Sequence, residues 1–151
     1  MPYRRPYKRA RYGKRDKYSV QQRAFAFDAG TGGSTVQIIV PATVVEGMRK
    51  VKHLTINLSA TLDSIFYWAL VYVPQGTTVG NINLSSTVGM YEPNQFVMNC
   101  GVIDTNAGPI RMSSPIARNL NDGDAIYLVV LPTTTAAITI RGTCRYAITL
   151  Q

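Results

Sequence analysis

Basic side chains and tyrosines near the start of the sequence are the residues whose chemistry is easiest to predict. The segment 1–23 contains nine Lys and Arg against a single Asp, so its net charge of +8 equals the formal net charge of the whole chain. Its basic residues are Arg4, Arg5, Lys8, Arg9, Arg11, Lys14, Arg15, Lys17 and Arg23. Guanidinium and ammonium groups neutralise phosphates. The segment is therefore predicted to bind a polyanion.

Tyrosines alternate with these basic residues, at Tyr3, Tyr7, Tyr12 and Tyr18. Aromatic rings stack on unpaired bases while cations hold the backbone, so the pattern favours single-stranded nucleic acid. The segment has almost no aliphatic residues and its like charges repel, which predicts a disordered arm. A nuclear localisation signal requires the same exposed cluster of positive charge. The residues that fit such a signal are Arg4, Arg5, Lys8, Arg9, Arg11, Lys14 and Arg15.

A glycine-rich stretch follows the arm. Residues 24–34 contain Gly30, Gly32 and Gly33, which predict a flexible hinge between the arm and the rest of the chain. A phosphate-binding loop is the alternative, but the stretch lacks the Lys and Ser or Thr of a P-loop. The sequence favours a hinge.

The remainder of the chain is formally neutral, with seven basic and seven acidic residues in positions 24–151. Two of its basic residues, Arg141 and Arg145, are four apart in a strand pattern, hence on one face and about 13 Å apart. Together with Lys50 and Lys52 they either extend the positive surface of the arm, or form a solvated face or pair with acids. The sequence leaves these interpretations open.

Residues for catalysis or metal binding are sparse. His53 is the single histidine, and the two cysteines, Cys100 and Cys144, are not spaced as metal ligands or as a disulfide framework. Asp122 and Asp124 flank a Gly and are typical of a turn, with cation binding at a subunit contact as the alternative. We therefore expect no enzyme activity, no metal and no cofactor.

The elements that must position these residues are β-strands. Alternation of apolar and polar residues is clear in 50–60 and 136–151, whereas 64–74 and 125–132 are apolar on both faces, as in strands covered on two sides. Seven or eight strands over 35–151 predict an all-β, two-sheet antiparallel sandwich or jelly roll. The longest apolar run, 65–73, is too short to cross a membrane as a helix. Charged residues make up only 16% of the chain, which favours surfaces buried between subunits.

Three segments carry a resemblance to a known family: MPYRRPYKRARYGKR (1–15), RKVKHLTINLSATLDSIFYWALVYVPQG (49–76) and PIARNLNDGDAIYLVVLPTT (115–134). They resemble the small single-jelly-roll capsid proteins of circular, Rep-encoding single-stranded DNA viruses, the group of circoviruses and nanoviruses. The chain is shorter than circovirus capsid proteins and nearer in size to those of nanoviruses. Satellite RNA viruses have similarly compact, basic-armed capsid proteins, so the type of genome stays open.

The resemblance implies a partner set and a location. The chain would assemble with itself into a sixty-subunit T = 1 icosahedral shell, with the arm directed inward to package circular single-stranded DNA. It would use the host nuclear import machinery, occur in the virion and in the host nucleus during assembly, and not insert into a membrane. A cellular single-stranded nucleic-acid-binding β-protein is the alternative from another class.

Overall fold

Alternating apolar and polar residues fold the chain into two antiparallel sheets in the computed structural model, which describes residues 17–30, 33–44, 46–80 and 96–150. These residues form nine strands and one 3₁₀ turn, Thr105–Ala107. The strands are β1 (Ser19–Ala29), β2 (Thr35–Val40), β3 (Arg49–Ala60), β4 (Ile65–Val73), β5 (Phe96–Asp104), β6 (Ile110–Ser114), β7 (Arg118–Leu120), β8 (Ala125–Pro132) and β9 (Ile138–Leu150). The predicted all-β class is confirmed.

The order of the strands is that of a jelly roll. The first sheet, sheet A, has the order β1-β9-β3-β6, with the short β7 paired to the start of β3. The second, sheet B, has the order β2-β8-β4-β5. Each sheet thus joins strands from the two ends of the chain to strands from its middle, as Greek-key connections require. The predicted two-sheet jelly roll is confirmed.

The hydrophobic core lies between the sheets. Leu54, Ile56 and Leu58 of β3 point into it, as their alternation predicts, and meet residues such as Leu70 and Leu128 from sheet B. The central strands β4 and β8 are also buried on the side away from the core. Four residues form a second apolar cluster there: Ala69, Val71, Val73 and Val129. This second cluster explains why both strands are apolar on two faces.

Strand β2 departs from the simple alternation of its sequence. Period-two alternation predicts Val36, Ile38 and Val40 on one face. The register with β8 shifts between Ile38 and Val40, so Ile39 and Val40 are both buried in the core. Val36 and Ile38 are instead exposed on the outer side of sheet B. A local bulge of this kind moves a side chain to the other face of a sheet.

Strand β1 corrects the predicted boundaries of the arm and the hinge. It pairs with β9 along its whole length, from Ser19 opposite Ile148 to Ala29 opposite Ile138. Phe25 and Ala29 are buried in the core, and Phe27 packs against it. Residues 24–29 are therefore part of the sandwich, not a flexible hinge, and residues 19–23 of the predicted arm are strand. The alternation of Phe25, Phe27 and Ala29 is the pattern that marks this strand.

A glycine in the middle of β9 allows two neighbours to approach closely. A Cβ atom on Gly142 would lie 2.5 Å from the carbonyl oxygen of Asn57 and 2.8 Å from Cζ of Phe25. Real Cβ atoms do not reach such distances, so a larger residue would push β3 or the Phe25 ring away. Gly142 thereby lets β1, β3 and β9 pack together.

We expect Gly142→Ala to lower the free energy of unfolding by about 1–3 kcal/mol, because overpacking displaces either a strand or a buried ring. Denaturant unfolding of the unassembled protein measures the change. Gly33→Ala is the matched control, since no atom lies within 4 Å of its added Cβ. Equal stability of the two variants would contradict the packing argument.

Candidate nucleic-acid interface

Four of the basic residues singled out in the sequence share one face of sheet A. In β9, Arg141 and Arg145 lie opposite Ser59 and Thr55 of β3. In β3, Lys52 lies opposite Ala147, and Lys50 lies opposite Thr149 of β9. Residues opposite each other in an antiparallel pair project to the same side of the sheet. All four side chains therefore lie on the side of sheet A away from the core.

A β-bulge at His53 brings the two lysines to this face. Strict alternation would place Lys50 and Lys52 on the side of Leu54, which points into the core. The register with β9 shifts between Lys52 and Thr55, and His53 has a φ of 56°. One extra residue in a strand reverses the side on which the following residues lie. Val51 and Leu54 can thus both point inward while the lysines join Thr55 outside.

Arg111 of β6 is a fifth cation on this face, which sequence reasoning missed. It is exposed and lies opposite Asn57 of β3, whose side chain is on the outer side. The short segment around Arg111 has no alternation long enough to assign its faces. Its position follows only from the pairing of β6 with β3. We call the outer surface formed by Lys50, Lys52, Arg111, Arg141 and Arg145 the cationic face.

The cationic face has almost no negative charge to balance it. In the strands of sheet A, the one acidic residue is Asp28, which lies at an edge opposite Thr139 and accepts a hydrogen bond of 2.6 Å from its hydroxyl. None of the five cations forms an ion pair with an acid in the described part of the chain. The interpretation in which these residues pair with acids is therefore not supported. Their charge is available to a partner.

The start of the described chain lies at the edge of the cationic face. Lys17 and Tyr18 lead into β1, and Nζ of Lys52 lies 3.7 Å from the centroid of the Tyr18 ring. A cation over an aromatic face is attracted by the ring quadrupole. Residues 1–16 therefore connect to the sandwich beside Lys52. The other predicted arm residues, Tyr3, Arg4, Arg5, Tyr7, Lys8, Arg9, Arg11, Tyr12, Lys14 and Arg15, lie outside the described residues.

A buried polar cluster holds the other candidate acid, Asp124. Its carboxylate accepts hydrogen bonds from the hydroxyl of Tyr72 (2.7 Å) and from the backbone N–H groups of Asn121 (2.8 Å) and Gln75 (3.0 Å). Beside it, the buried Arg49 donates to the carbonyl oxygens of Pro41 and Asp124. We call Asp124, Tyr72 and Arg49 with these partners the Asp124 cluster.

The contacts in the Asp124 cluster change the pKa of the Asp124 carboxyl and of the Tyr72 hydroxyl. Burial alone would raise the pKa of Asp124, but the bonds from Tyr72, Gln75 and Asn121 and the nearby charge of Arg49 together lower it. Burial and the bond to Asp124 raise the pKa of Tyr72 to about 12. The occupied carboxylate favours the turn interpretation of Asp122 and Asp124 over cation binding. Within the described ranges no group of His, Cys, Asp and Glu is arranged to hold a metal ion.

The cysteines and the histidine considered for metal binding or catalysis do not form a common site in the described part of the chain. Cys144 is buried in the core, where it packs as a small hydrophobic residue, whereas Cys100 is exposed. Burial raises the pKa of the Cys144 thiol. His53 is exposed at the bulge, on the side of the cationic face. In the described part of the chain, no helix is long and apolar enough to span a bilayer.

The fold and the site together define an all-β jelly-roll protein with one sheet face suited to a polyanion. No protein-family model matches this chain, and no curated protein matches it. Among solved structures, the T = 1 particles derived from infectious bursal virus overlap with 90% of this chain, at 15% identity and a TM-score of 0.29. The subviral particle of infectious bursal disease virus overlaps equally far, at 12% identity and a TM-score of 0.28. This chain spans only about two fifths of the length of those chains, 41% and 42%. A likeness at these values establishes neither a family nor a function.

Proposed function

We propose that this protein is the subunit of a viral capsid, which assembles with itself into a closed shell and packages single-stranded nucleic acid. The observation that carries the proposal is the cationic face, which has five cations, one of which, Lys52, lies beside the point where residues 1–16 join the sandwich. Positive charge of this density, unpaired by described acids, suits a phosphate backbone. The arm and the cationic face would then line the inside of the shell as one surface.

The outer face of sheet B supports self-assembly because it is apolar, whereas the outer face of sheet A is cationic. Asp104, at the end of β5, is the one charged residue in the described strands of sheet B. Most of the other exposed residues of this face are apolar, among them Val36, Ile38, Val97 and Val102. Exposed apolar surface with few charges is typical of contacts between proteins. A subunit with one cationic and one apolar face suits a shell that holds nucleic acid on one side.

The net charge of the chain gives the number of phosphates that such a shell would neutralise. A T = 1 shell of sixty copies, each with a net charge of +8, would present about 480 net positive charges, each able to neutralise one phosphate. We propose circular single-stranded DNA as the packaged genome, the virion as the location of the protein, and the host nucleus as the place of assembly. Nuclear import through the basic arm completes the proposal. The role is structural and needs no catalysis.

A second function is favoured by one observation. A cellular single-stranded nucleic-acid-binding β-protein commonly presents basic residues on a face of its body, and the cationic face is such a surface. That protein would bind nucleic acid as a monomer or small oligomer. The two functions therefore differ in assembly, not in ligand.

Assembly of the purified full-length protein tests the proposal. We expect closed particles of uniform size in negative-stain micrographs and a matching light-scattering radius. The particles should contain nucleic acid that, once extracted, DNase removes and RNase does not. RNase-sensitive nucleic acid would transfer the proposal to an RNA genome of the satellite-virus type. A protein that stays small with and without nucleic acid would support the cellular function instead.

A further inference from the structure

A groove runs along β3 on the cationic face. The outward side chains of β3 are short, at Thr55, Asn57 and Ser59. The neighbouring strands carry arginines, with Arg145 and Arg141 on β9 and Arg111 on β6. Short residues between long ones make a floor between two walls. The walls belong to strands two spacings apart, about 10 Å, because neighbouring strands lie about 4.8 Å from each other.

Three adjoining hollows form this groove. The first, of about 590 Å³, is lined by residues that include His53, Thr55, Arg111 and Arg145. The second, of about 270 Å³, shares Thr55 and both arginines and adds Asn57. The third, of about 330 Å³, continues from Asn57 to Ser59 and Arg141. From His53 to Ser59 the groove extends about 20 Å, at about 3.3 Å per residue.

The lining of the hollows fits a nucleotide strand. Arg111 and Arg145 can each bind a phosphate through two parallel N–H groups. The side chains of Asn57 and Gln22 offer both donors and acceptors to the edges of bases. Among the residues that the structure describes, no acid lines any of the three hollows. Each of the three hollows is thus lined by at least one arginine and by no described acid.

The first hollow, which is lined by His53 at the bulge, is the largest of the three. Its lining combines the two arginines with apolar surface from Val20, Pro115 and Ala147. Apolar surface beside paired guanidinium groups suits a base next to its phosphate. His53 itself has a φ of 56°, a backbone conformation that costs energy in residues other than glycine and is often found at functional sites.

We infer that the groove binds a single strand of nucleic acid in a fixed register, with one nucleotide in the hollow at the bulge. The inference rests on the proposed function and adds an ordered contact to the diffuse attraction of the arm. Only one backbone fits between walls about 10 Å apart. A rigid duplex, whose two backbones are held apart by paired bases, does not enter.

Removal of one positive charge on each side of sheet A distinguishes specific contact in the groove from nonspecific attraction between a positive protein and a negative probe. Arg145→Gln removes a cation from the groove. Arg23→Gln removes an exposed cation that belongs to β1 and not to the arm, on the other side of the sheet, opposite Cys144. With the full-length protein and fluorescein-labelled oligothymidylate, we expect Arg145→Gln to weaken binding about tenfold, as loss of a charged hydrogen bond does. Arg23→Gln should stay within about twofold, like most surface changes.

A change without charge tests the shape of the groove. Asn57→Ile fills the floor and leaves the net charge unaltered. We expect binding of the same probe to weaken about tenfold, since a displaced nucleotide loses its contacts. The control is Asn106→Ile, an exposed position outside the three hollows, with an expected change within about twofold. Circular dichroism and thermal unfolding check that each variant is folded.

The outcomes distinguish the groove from the proposed function. If the unaltered protein neither assembles nor binds the probe, the proposed function is wrong. If it binds, and both groove variants behave like their controls, the groove is wrong while the proposed function stands. Binding of a hairpin duplex of equal charge with the same affinity and the same loss in Asn57→Ile would also overturn the single-strand inference.

Discussion

Deletion of residues 1–16 is expected to abolish packaging of nucleic acid and to leave the β-sandwich folded. The deletion removes seven Lys and Arg and one Asp. It ends before Lys17, so the whole ladder between β1 and β9 remains. The apolar core between the sheets does not lose a described residue. The variant thus separates nucleic-acid binding from folding.

The expected loss of nucleic-acid affinity follows from the release of counterions when arm cations bind phosphates. For single strands, the slope of log K against log salt is about −0.7 for each phosphate that the protein neutralises. Seven arm cations therefore contribute a slope of about −5. Between 50 and 200 mM salt, the full-length protein should lose about a thousandfold more affinity for oligothymidylate than the deleted protein does. Anisotropy titrations at several salt concentrations measure both slopes.

Two further proteins control this experiment. A full-length variant with Gln at the seven basic positions of 1–16 keeps the length of the arm and should match the deletion. Deletion of residues 1–23 should instead destabilise the subunit, because Ser19–Arg23 pair with Cys144–Ile148. An unaltered salt slope in the 1–16 deletion would show that the arm does not contact the nucleic acid.

Local alternation predicts the strands well and their boundaries less well. Alternation marks β3 and β9, since burial of one face requires period two. Apolar residues on both faces mark the central strands β4 and β8. Strand β1 was missed because glycines at 30, 32 and 33 favour a hinge, although Phe25 and Phe27 alternate toward the core. Pairing with β9, more than a hundred residues away in the sequence, is what makes 19–29 a strand. Such long-range pairing is not visible in a local window.

The candidate site depends even more on contacts that the sequence does not show. Arg141 and Arg145 share a face by simple alternation within β9. Lys50 and Lys52 join them only because of the bulge at His53. The bulge lets Val51 and Leu54 both point into the core although they are three residues apart. Arg111 joins only because β6 pairs with β3. Bulges and strand order are set by the whole sandwich, so charge on a face cannot be summed from one strand.

Replacement of Asp124 by Ala should be among the most destabilising substitutions in this chain. Asp124 is 3% exposed, and its carboxylate accepts three hydrogen bonds. Without the carboxylate, the Tyr72 hydroxyl and the N–H groups of Asn121 and Gln75 have lost their acceptor. The bond from Tyr72 is buried and the two backbone bonds are part-buried. We expect the free energy of unfolding to fall by about 3–5 kcal/mol, because a donor left unsatisfied in the interior costs about 1–3 kcal/mol. Denaturant unfolding of the unassembled protein measures the loss.

The dependence of stability on pH tests whether the Asp124 cluster is the cause of the stability that Asp124→Ala loses. The pKa of Asp124 is lowered on folding, so its contribution is present above the unfolded value of 3.8 and is lost as pH falls through the folded value. The pKa of Tyr72 is raised from 10.0 to about 12, so its contribution is present below pH 10 and is lost as pH rises toward 12. Asp124→Ala should remove the acid contribution, and Tyr72→Phe should remove the alkaline one while costing less stability.

The Asp124 cluster also connects stability to the cationic face. Arg49, which donates to the Asp124 carbonyl oxygen, is the residue before Lys50 at the start of β3. Loss of the cluster should therefore loosen the end of β3 that presents Lys50 and Lys52. Under conditions in which Asp124→Ala is still folded, we expect it to bind oligothymidylate more weakly than Leu70→Ala, a core variant in sheet B, when the two are compared at the same fraction of folded protein. Equal binding by the two variants would show that the cluster stabilises the sandwich without positioning the lysines.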